Sequence, residues 1–327
     1  MKHRVLVLGA NGFIGRRVVE ALTATDWATP IAAGRRLVGP TESTPIERQL
    51  VDATDSSQVA RALQGVNAVV NCVAGGVKTI IACARALFDA AAQQASQPRI
   101  IHLSSAAVYG SAVGDVDESA PLLPDLSPYG TAKIQAEQLA ARCRTVVIFR
   151  PGIVYGPGSS QWSDRPGRWL LERRVGDLGA MGDGYCNLVY IDDLVTAILQ
   201  AIRIPGMEGE RFNLGMVSPP RWNDYFAMYA IALGAVPVKR ISARRLAFEA
   251  KALAAPRKIF ELIVQRIGPK SFHARAPITP SLLRLWRQEL RLNDAKSRSL
   301  LSVDWTPLDV GMQRAARWFL NSSGTSR

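Results

Sequence analysis

The chain reads Gly9-Ala10-Asn11-Gly12-Phe13-Ile14-Gly15 directly after an apolar run at residues 5–8 and at the start of a helical pattern at residues 13–22. Glycines at this spacing let the backbone turn tightly and approach a pyrophosphate, which then lies at the positive end of the helix. An ordinary turn is the alternative. Because the pattern follows the first strand of an alternating series, we interpret it as a dinucleotide site formed by Gly9, Asn11, Gly12, Phe13, Ile14 and Gly15.

Apolar runs and helical patterns alternate along the first half of the chain. The predicted strands lie at residues 5–8, 31–33, 68–73, 100–103 and 146–149, with helices between most of them at residues 56–63, 79–94 and 129–142. Alternation at this spacing predicts an α/β fold, with a Rossmann-like, doubly wound parallel sheet and helices on both faces.

The alternation ends after Pro151-Gly152, and the chain is mainly helical from Trp222 onward. We therefore predict a dinucleotide-binding domain at residues 1–160, completed by about residues 187–218. Residues 161–186 and 219–327 are predicted to form a smaller, mainly helical C-terminal lobe that binds the substrate.

The net charge of +13 is concentrated in this lobe. Residues 239–327 contain 18 Lys and Arg against 6 Asp and Glu, whereas the first 238 residues contain 22 against 21. Clustered cations attract nucleic acid, anionic lipid or an acidic substrate. The sequence has no signature of a nucleic-acid-binding fold, so we expect no nucleic-acid partner and interpret the charge as a solvated basic surface.

Composition and hydropathy exclude several classes of protein. Hydrophobic residues make up 48% of the 327 residues, which is enough to bury a core and excludes a disordered chain. The longest uncharged apolar run, at residues 225–238, has 14 residues and contains Gly234 and Pro237, which excludes a membrane-spanning helix. The four cysteines form no C-x-x-C pair, so we expect reduced thiols, no metal and a cytoplasmic protein.

The end of the second predicted strand, Ala33-Gly34-Arg35-Arg36, bears on the choice of dinucleotide. Sites that prefer NAD usually place a carboxylate here to bind the ribose 2′-hydroxyl, whereas the next acidic residue in this chain is Glu42. A guanidinium group suits a 2′-phosphate. We therefore predict that NADP is preferred, with NAD possible; the alternative is that Arg35 only stacks on the adenine.

Tyr129 and Lys133 are four residues apart at the start of a predicted helix, so they project from one face. An isolated tyrosine has a pKa near 10, and we expect the nearby lysine cation to favour the phenolate and make a base at neutral pH. A hydroxyl at the end of a neighbouring strand, Ser104 or Ser105, would hold a substrate oxygen while the tyrosine exchanges its proton.

With these motifs the chain resembles the extended short-chain dehydrogenase/reductase superfamily, in its NAD-dependent epimerase/dehydratase group. The likeness covers roughly residues 1–218, with the motifs in the family's order. It rests on Gly9 to Gly15, His102-Leu103-Ser104-Ser105-Ala106-Ala107-Val108-Tyr109-Gly110, Tyr129-Gly130-Thr131-Ala132-Lys133, Arg150-Pro151-Gly152-Ile153-Val154-Tyr155-Gly156-Pro157 and Val189-Tyr190-Ile191-Asp192-Asp193.

The resemblance implies roles for individual residues. Tyr129 would be the acid/base, Lys133 its activator and a ribose ligand, and Ser105 the catalytic hydroxyl. Asp52 would meet the adenine amine, with a helix N-cap as the alternative. The remaining dinucleotide contacts would be Ala53, Val73, Ala74, Pro151 and Val154, and the substrate contacts would include Ser105 and Ala106. Tyr109 and Tyr155 lie in predicted loops at the carboxyl ends of strands, where substrates bind in open sheets, so we also expect them at the substrate, with structural packing as the alternative.

Two departures from the family pattern concern the substrate. Ile153 stands where many sugar-nucleotide enzymes of the group carry an asparagine that holds the phosphates. The stretch after the fourth strand is also short, because Ala74-Gly75-Gly76-Val77-Lys78 runs almost directly into the next helix. Both changes favour a less polar alcohol or ketone over a nucleotide sugar.

Our main interpretation is therefore an NADP-dependent oxidoreductase that transfers a hydride between the nicotinamide and a carbonyl or alcohol, with Tyr129 as acid/base. The alternative is a nucleotide-sugar epimerase or dehydratase with transient oxidation by tightly bound NAD(P). A scaffold or cofactor sensor is the third reading, against which the intact catalytic set argues. The expected partner is a small-molecule substrate.

Two further interactions stay open. An amphipathic basic helix at residues 256–267 could rest on an anionic membrane, although packing on its own lobe is favoured. A homodimer through the helix of Tyr129 is suggested only by analogy with the superfamily.

Overall fold

A computed structural model of the chain describes residues 2–36, 46–94, 96–252 and 276–322. The helix predicted at residues 256–267 lies outside the described residues. The chain divides into two units. The first contains residues 1–154, 188–217 and 292–306, and the second contains residues 155–187, 218–291 and 307–327.

A seven-stranded sheet forms the centre of the first unit, and every pair of neighbouring strands in it is parallel. Its strands are β1 (His3–Leu8), β2 (Ala28–Gly34), β3 (Glu47–Leu50), β4 (Ala68–Asn71), β5 (Arg99–Leu103), β7 (Val146–Pro151) and β10 (Arg211–Leu214). The short strands are β6 (Gly114–Val116), β8 (Ile153–Tyr155), β9 (Leu188–Tyr190) and β11 (Leu290–Leu292).

The strand order is β3-β2-β1-β4-β5-β7-β10, so the direction of the crossovers reverses between β1 and β4. A crevice forms at the carboxyl ends of the strands at such a reversal, and ligands bind there. The glycine turn follows β1, and residues 72–74 follow β4, so both predicted dinucleotide segments lie at this crevice.

Helices cover both faces of the sheet. On one face the helix at residues 13–23 packs on the helix at residues 191–203, and on the other the helix at residues 77–92 packs on the helices at residues 56–62 and 128–140. The central strands are buried on both faces, which explains why they read as continuous apolar runs. The helices of the first unit are α1 (Phe13–Thr23), α2 (Ser56–Ala62), α3 (Val77–Ala92), α4 (Pro128–Ala140), α6 (Ile191–Arg203) and α10 (Ala295–Leu301).

The predicted doubly wound, parallel α/β sheet is confirmed, and so is a helical C-terminal portion. The observed units differ from the predicted domains at two places: residues 155–160 belong to the second unit and not to the first, and residues 292–306 belong to the first unit and not to the lobe predicted at residues 219–327. Polar contacts hold this segment in place: Asp193 accepts hydrogen bonds from the backbone and hydroxyl of Thr306, and Asn213 donates to the Asn293 carbonyl.

The second unit is mainly helical and packs around aromatic rings. Its helices are α5 (Arg165–Leu171), α7 (Trp222–Leu233), α8 (Ala243–Ala252), α9 (Pro280–Leu285) and α11 (Leu308–Ser322). Trp222 lies at the centre of the cluster, with ring centroids of Trp162, Trp286 and Tyr225 within 6.1 Å. Among the residues that the structure describes, no helix is long and apolar enough to cross a membrane.

Candidate active site

The turn after β1 requires glycine. Gly9 has a φ of +79°, and a Cβ atom on Gly15 would lie 2.3 Å from the Gly9 carbonyl oxygen. The N-cap of α1 is Gly12, and no side chain caps this end of the helix. Backbone and helix dipole are therefore presented to a ligand without an intervening side chain, which fits the pyrophosphate of a dinucleotide.

Asn11 joins this turn to the end of the second strand. Its side-chain amide donates a hydrogen bond of 2.8 Å to the carbonyl of Arg36. Phe13 and Ile14 are half-buried at the start of α1. The structure thus gives Asn11 a role in holding the turn against the residues that follow β2.

Arg35 and Asp52 stand close to each other where the adenosine end of a dinucleotide would lie. Arg35 is exposed after β2, and Asp52 follows β3 with its carboxylate accepting hydrogen bonds from the backbone and hydroxyl of Thr54. These bonds, assisted by Arg35, lower the pKa of Asp52. The N-cap of α2 is Asp55, so the alternative of an N-cap role does not apply to Asp52.

The sites after the other central strands hold the rest of the predicted dinucleotide contacts. Ala53, Val73 and Val154 are half-buried, Ala74 is exposed and Pro151 is buried. The Val73 backbone N–H donates to Asn71, which fixes the chain as it leaves β4.

Tyr129, Lys133 and Ser105 come together where β5 meets α4. Tyr129 lies in the first turn of α4 and is 43% exposed, whereas Lys133 is 5% exposed. The Lys133 ammonium lies 5.8 Å from the centroid of the Tyr129 ring and donates a hydrogen bond of 2.7 Å to the Leu103 carbonyl. The Ser105 hydroxyl interacts with the Tyr129 phenol by hydrogen bonding and accepts from the Ala107 backbone.

Gly130 allows α4 to approach the serine segment this closely. A Cβ atom on Gly130 would lie 2.4 Å from the carbonyl oxygen of Ala107, in the short 3₁₀ helix Ala106–Tyr109. Ser127 caps α4 by accepting from the Gly130 backbone, and Pro128 occupies the first turn. The local sequence therefore sets both the start of the helix and its distance from Ser105.

The charges at the site differ from the sequence expectation. Burial lowers the pKa of Lys133 to about 8, against the opposing effects of Cys72 and Glu137. Burial of the phenol group raises the pKa of Tyr129, and the hydrogen bond with Ser105 opposes this rise. The expectation that Lys133 lowers the pKa of Tyr129 is therefore not met in this structure, because the shift has the opposite direction.

The structure separates the two serines that sequence analysis left open. Ser104 is buried, and its hydroxyl donates to the carboxylate of Glu137. Ser105 is half-buried beside Tyr129, and so is Ala106. Ser105, and not Ser104, is therefore the hydroxyl available to a substrate oxygen.

Two predicted substrate contacts need correction. Tyr109 has no exposed surface, and its hydroxyl donates to Asn213 and accepts from Arg150. Tyr155 is 2% exposed in the second unit, where Gly311 packs against its hydroxyl. Both side chains are buried packing residues in this structure, because a phenol ring placed after a strand can turn into the core as readily as into a crevice.

The buried ion pair of Glu137 and Arg150 escaped the sequence analysis. Arg150 donates to Glu137 from two nitrogens, at 2.7 and 3.1 Å, and both residues are nearly inaccessible. One signal was available in the sequence: Arg150 ends the apolar run of β7, and Glu137 lies one turn after Lys133 on the same helix face.

This crevice, with its glycine turn and its tyrosine and lysine, defines a dinucleotide-dependent enzyme of the Rossmann type. A family model narrows the class. The model of the NAD dependent epimerase/dehydratase family matches residues 5–215, and the chain therefore belongs to this family. Family membership confirms the predicted class of NAD(P)-dependent enzyme and supports a nicotinamide cofactor.

Individual relatives give a similar result. Protein YeeZ of Escherichia coli strain K12 is 30% identical over 142 residues, which are 43% of this chain and 48% of YeeZ. The chain therefore spans about half the length of this relative. N-acetyl-alpha-D-glucosaminyl-diphospho-ditrans,octacis-undecaprenol 4-epimerase of Escherichia coli O157:H7 is 28% identical over 235 residues, covering 65% of this chain and 67% of that protein.

The fold is shared with solved epimerase structures. UDP-glucuronic acid 4-epimerase from Bacillus cereus, in complex with UDP-glucuronic acid and NAD, superposes with a TM-score of 0.73. The sequence identity is 20%, and the match covers 98% of this chain and 99% of that chain. This likeness confirms the Rossmann-like architecture of the sheet.

Proposed function

We propose that the protein is an epimerase or dehydratase acting on a sugar linked to a diphosphate, with transient oxidation of the sugar by bound NAD(P). The observation that carries this proposal is the grouping of Ser105, Tyr129 and Lys133 at the end of β5 in a chain of the epimerase/dehydratase family. The epimerases similar to this chain act on diphosphate-linked sugars, as their names state. This proposal replaces the net oxidoreductase that the sequence favoured.

The residues of the site suit such a reaction. The Tyr129 phenolate would accept the proton of a sugar hydroxyl, and the Ser105 hydroxyl would donate a hydrogen bond to the same oxygen. Lys133 lies beside Tyr129 and would bind a ribose hydroxyl, and with the dinucleotide in place its ammonium would oppose the burial that raises the pKa of Tyr129 in this structure. When bound, the dinucleotide supplies a hydride acceptor that can return the hydride to the sugar. The backbone of residues 9–15 would hold its pyrophosphate.

The test is to incubate the protein with UDP-glucose, UDP-glucuronic acid and UDP-N-acetylglucosamine and to follow the sugar protons by NMR. We expect a new sugar isomer or a dehydrated sugar, formed over many turnovers without consumption of added dinucleotide. Tyr129→Phe should reduce turnover by about 10²- to 10⁴-fold, because it removes the acid/base. Binding of the dinucleotide by this variant should change little.

Net reduction is the second candidate, and Ile153 favours it, because a branched apolar side chain cannot bind the diphosphate of a nucleotide sugar. Stoichiometric loss of NADPH absorbance with a ketone or aldehyde, together with no turnover of any diphosphate-linked sugar, would overturn the epimerase proposal. Catalytic turnover of a sugar without NADPH loss would exclude net reduction.

The choice between NADP and NAD is a separate proposal. The solved relative contains NAD, which favours NAD. The exposed Arg35 after β2 favours NADP, because a guanidinium group can bind a 2′-phosphate with two hydrogen bonds. We propose that Arg35 gives NADP the higher affinity.

The test compares the affinities of two variants for both dinucleotides. Arg35→Ser should weaken the binding of NADP about tenfold and leave the binding of NAD nearly unchanged, whereas the control Arg61→Ser on α2 should change the binding of neither. Equal affinities of the unmodified protein for the two dinucleotides would contradict this assignment.

A further inference from the structure

Glu137 lies one turn after Lys133 on α4, and its carboxylate is held by several hydrogen bonds. Its two carboxylate oxygens accept from Arg150 Nη2 at 2.7 Å and Arg150 Nε at 3.1 Å, and the Ser104 hydroxyl donates to one of them. Glu137 is 5% exposed and Arg150 is 2% exposed. The carboxylate therefore connects α4 to two strands at once, because Ser104 follows β5 and Arg150 lies in β7.

Stability alone gives a weak reason for this arrangement. Moving two charges out of water is costly, and a well-packed apolar pair of similar volume is often as stable as a buried ion pair or more stable. Arg150 also donates to the Tyr109 hydroxyl and to the Glu118 carbonyl, so its position is fixed from several sides. A buried pair whose partners are all fixed is suited to setting the position of the helix that carries it.

The same helix face carries the candidate catalytic residues. Tyr129, Lys133 and Glu137 follow one another at intervals of four residues, and they meet three consecutive residues at the end of β5. Lys133 donates to the Leu103 carbonyl, Glu137 accepts from Ser104, and Tyr129 contacts Ser105. Along α4, the contact of Glu137 with Ser104 is therefore the last of three contacts with the end of β5, and the contact of Tyr129 with Ser105 is the first.

We propose that Glu137 is a positioning residue: held by Arg150 and Ser104, it fixes α4 on the end of β5 so that Tyr129 and Lys133 stay in place beside Ser105. The inference rests on the proposed function for its catalytic consequence. Glu137 itself acts through Lys133 and Tyr129, and Ser104 and Arg150 act through Glu137.

The ion pair also affects the charge of Lys133. Lys133 is faced by Tyr129 and Glu137 on α4, by Cys72 after β4, by Cys83 on α3 and by His102 on β5. Burial raises the pKa of Cys72 to about 12 and that of Cys83 to about 11, and it lowers the pKa of His102 to about 3, so these three groups are neutral at pH 7. Glu137 is the carboxylate of this group, and it raises the pKa of Lys133.

Removing the negative charge of Glu137 and removing the positive charge of Arg150 should therefore shift the pKa of Lys133 in opposite directions. Glu137→Gln removes the carboxylate and leaves Arg150 uncompensated, which disfavours the ammonium form of Lys133. Arg150→Met leaves Glu137 uncompensated, which favours the ammonium form. A purely structural disturbance would shift the pKa of Lys133 in the same direction in both variants or leave it unchanged in both.

The experiment is an NMR titration of the full-length, dinucleotide-free protein labelled with ¹³C-lysine, in which Lys133→Arg identifies the Lys133 signal. We expect Glu137→Gln to lower the Lys133 titration midpoint by about one pH unit and Arg150→Met to raise it. Shifts in the same direction, or no shift in Glu137→Gln, would overturn the proposal. Because the titration uses no substrate, its result does not depend on the epimerase assignment.

Kinetics test the positioning role. In Glu137→Gln we expect kcat to fall about tenfold with KM within twofold of its original value, and the alkaline limb of the pH profile to move to lower pH. If a single variant does not fold, the double variant Glu137→Gln with Arg150→Met removes both charges. Its Lys133 midpoint should return close to the original value while kcat stays reduced, and an unchanged kcat would overturn the proposal. Inactivity of the unmodified protein toward every sugar would instead contradict the proposed function.

Discussion

The two units of the protein differ in how many of their buried polar atoms have a hydrogen-bond partner. In the first unit most of them bond one another, with His102 Nε2 as the exception within the described residues: Tyr109 bonds Asn213 and Arg150, and Arg150 bonds Glu137. The second unit holds an aromatic cluster and a buried ion pair of Arg174 with Glu249. Within the described residues it leaves four buried polar atoms without a hydrogen-bond partner. These atoms are Asp164 Oδ1, Trp222 Nε1, Tyr229 Oη and Trp286 Nε1.

The difference indicates what each unit does. Hydrogen-bonded networks have directions, so they fix side chains to within a fraction of an ångström, as acid–base chemistry requires. Ring packing has weaker directional preferences and tolerates exchange of one large side chain for another. We therefore propose that the first unit holds the acid–base chemistry and that the second unit contributes to recognition of the substrate.

The largest expected effect concerns Lys133, a buried cation of the first unit, and the dependence of stability on pH. Its native pKa of about 8 lies below the ordinary lysine value near 10.4, so the native state binds fewer protons than the unfolded state between these two pH values. The free energy of unfolding should therefore rise with pH across this window. Relative to Lys133→Met, the unmodified protein should gain about 3 kcal/mol between pH 7 and pH 10.5, as measured by urea denaturation. A stability difference that is independent of pH would show that Lys133 is charged and paired at both values.

A matched pair of tyrosines gives the next effect in size. Tyr109→Phe leaves the Asn213 carbonyl oxygen without its donor and should cost about 1–3 kcal/mol. Tyr229→Phe removes a hydroxyl that has no hydrogen-bond partner among the described residues, and it should be neutral or slightly stabilising. Urea denaturation of both variants at pH 7 measures the difference. Equal losses would mean that the polar groups of the two units are equally well satisfied.

Asp164 gives the smallest effect. Burial raises the pKa of this carboxyl group, with Arg168 opposing the rise, so the native state holds its proton more tightly than the unfolded state does. The stability of the unmodified protein should therefore fall as the pH rises above the ordinary Asp value of 3.8. Asp164→Asn should be more stable than the unmodified protein at pH 7, with an advantage that shrinks toward pH 3. Thermal unfolding at the two pH values measures this advantage, and its growth at low pH would contradict the assignment.

Local patterns predicted the parts of the molecule that depend on local geometry. The strand, turn and helix around Gly15 are specified within about 20 residues, and the i, i+4 spacing of Tyr129 and Lys133 places them on one helix face. The family resemblance stated from these motifs is confirmed by the match over residues 5–215.

Contacts between distant segments could not be predicted in the same way. The partners Glu137, Arg150 and Ser104 come from three elements, and only the packed sheet shows that they meet. The direction in which Tyr109 and Tyr155 point was open for the same reason, and both turned out to be buried. The homodimer and the anionic membrane contact stay predictions.

The return of residues 292–306 to the first unit has a consequence for biosynthesis. A ribosome adds these residues only after it has made most of the second unit, so the first unit is still incomplete when residues 1–217 of the chain have emerged. The hydrogen bonds of Asp193 with Thr306 and of Asn213 with Asn293 form only after those later residues have been synthesised. Co-translational folding of this chain is therefore expected to finish late, and fragments that stop before residue 292 should leave Asp193 and Asn213 without these contacts and be more accessible to proteases and chaperones.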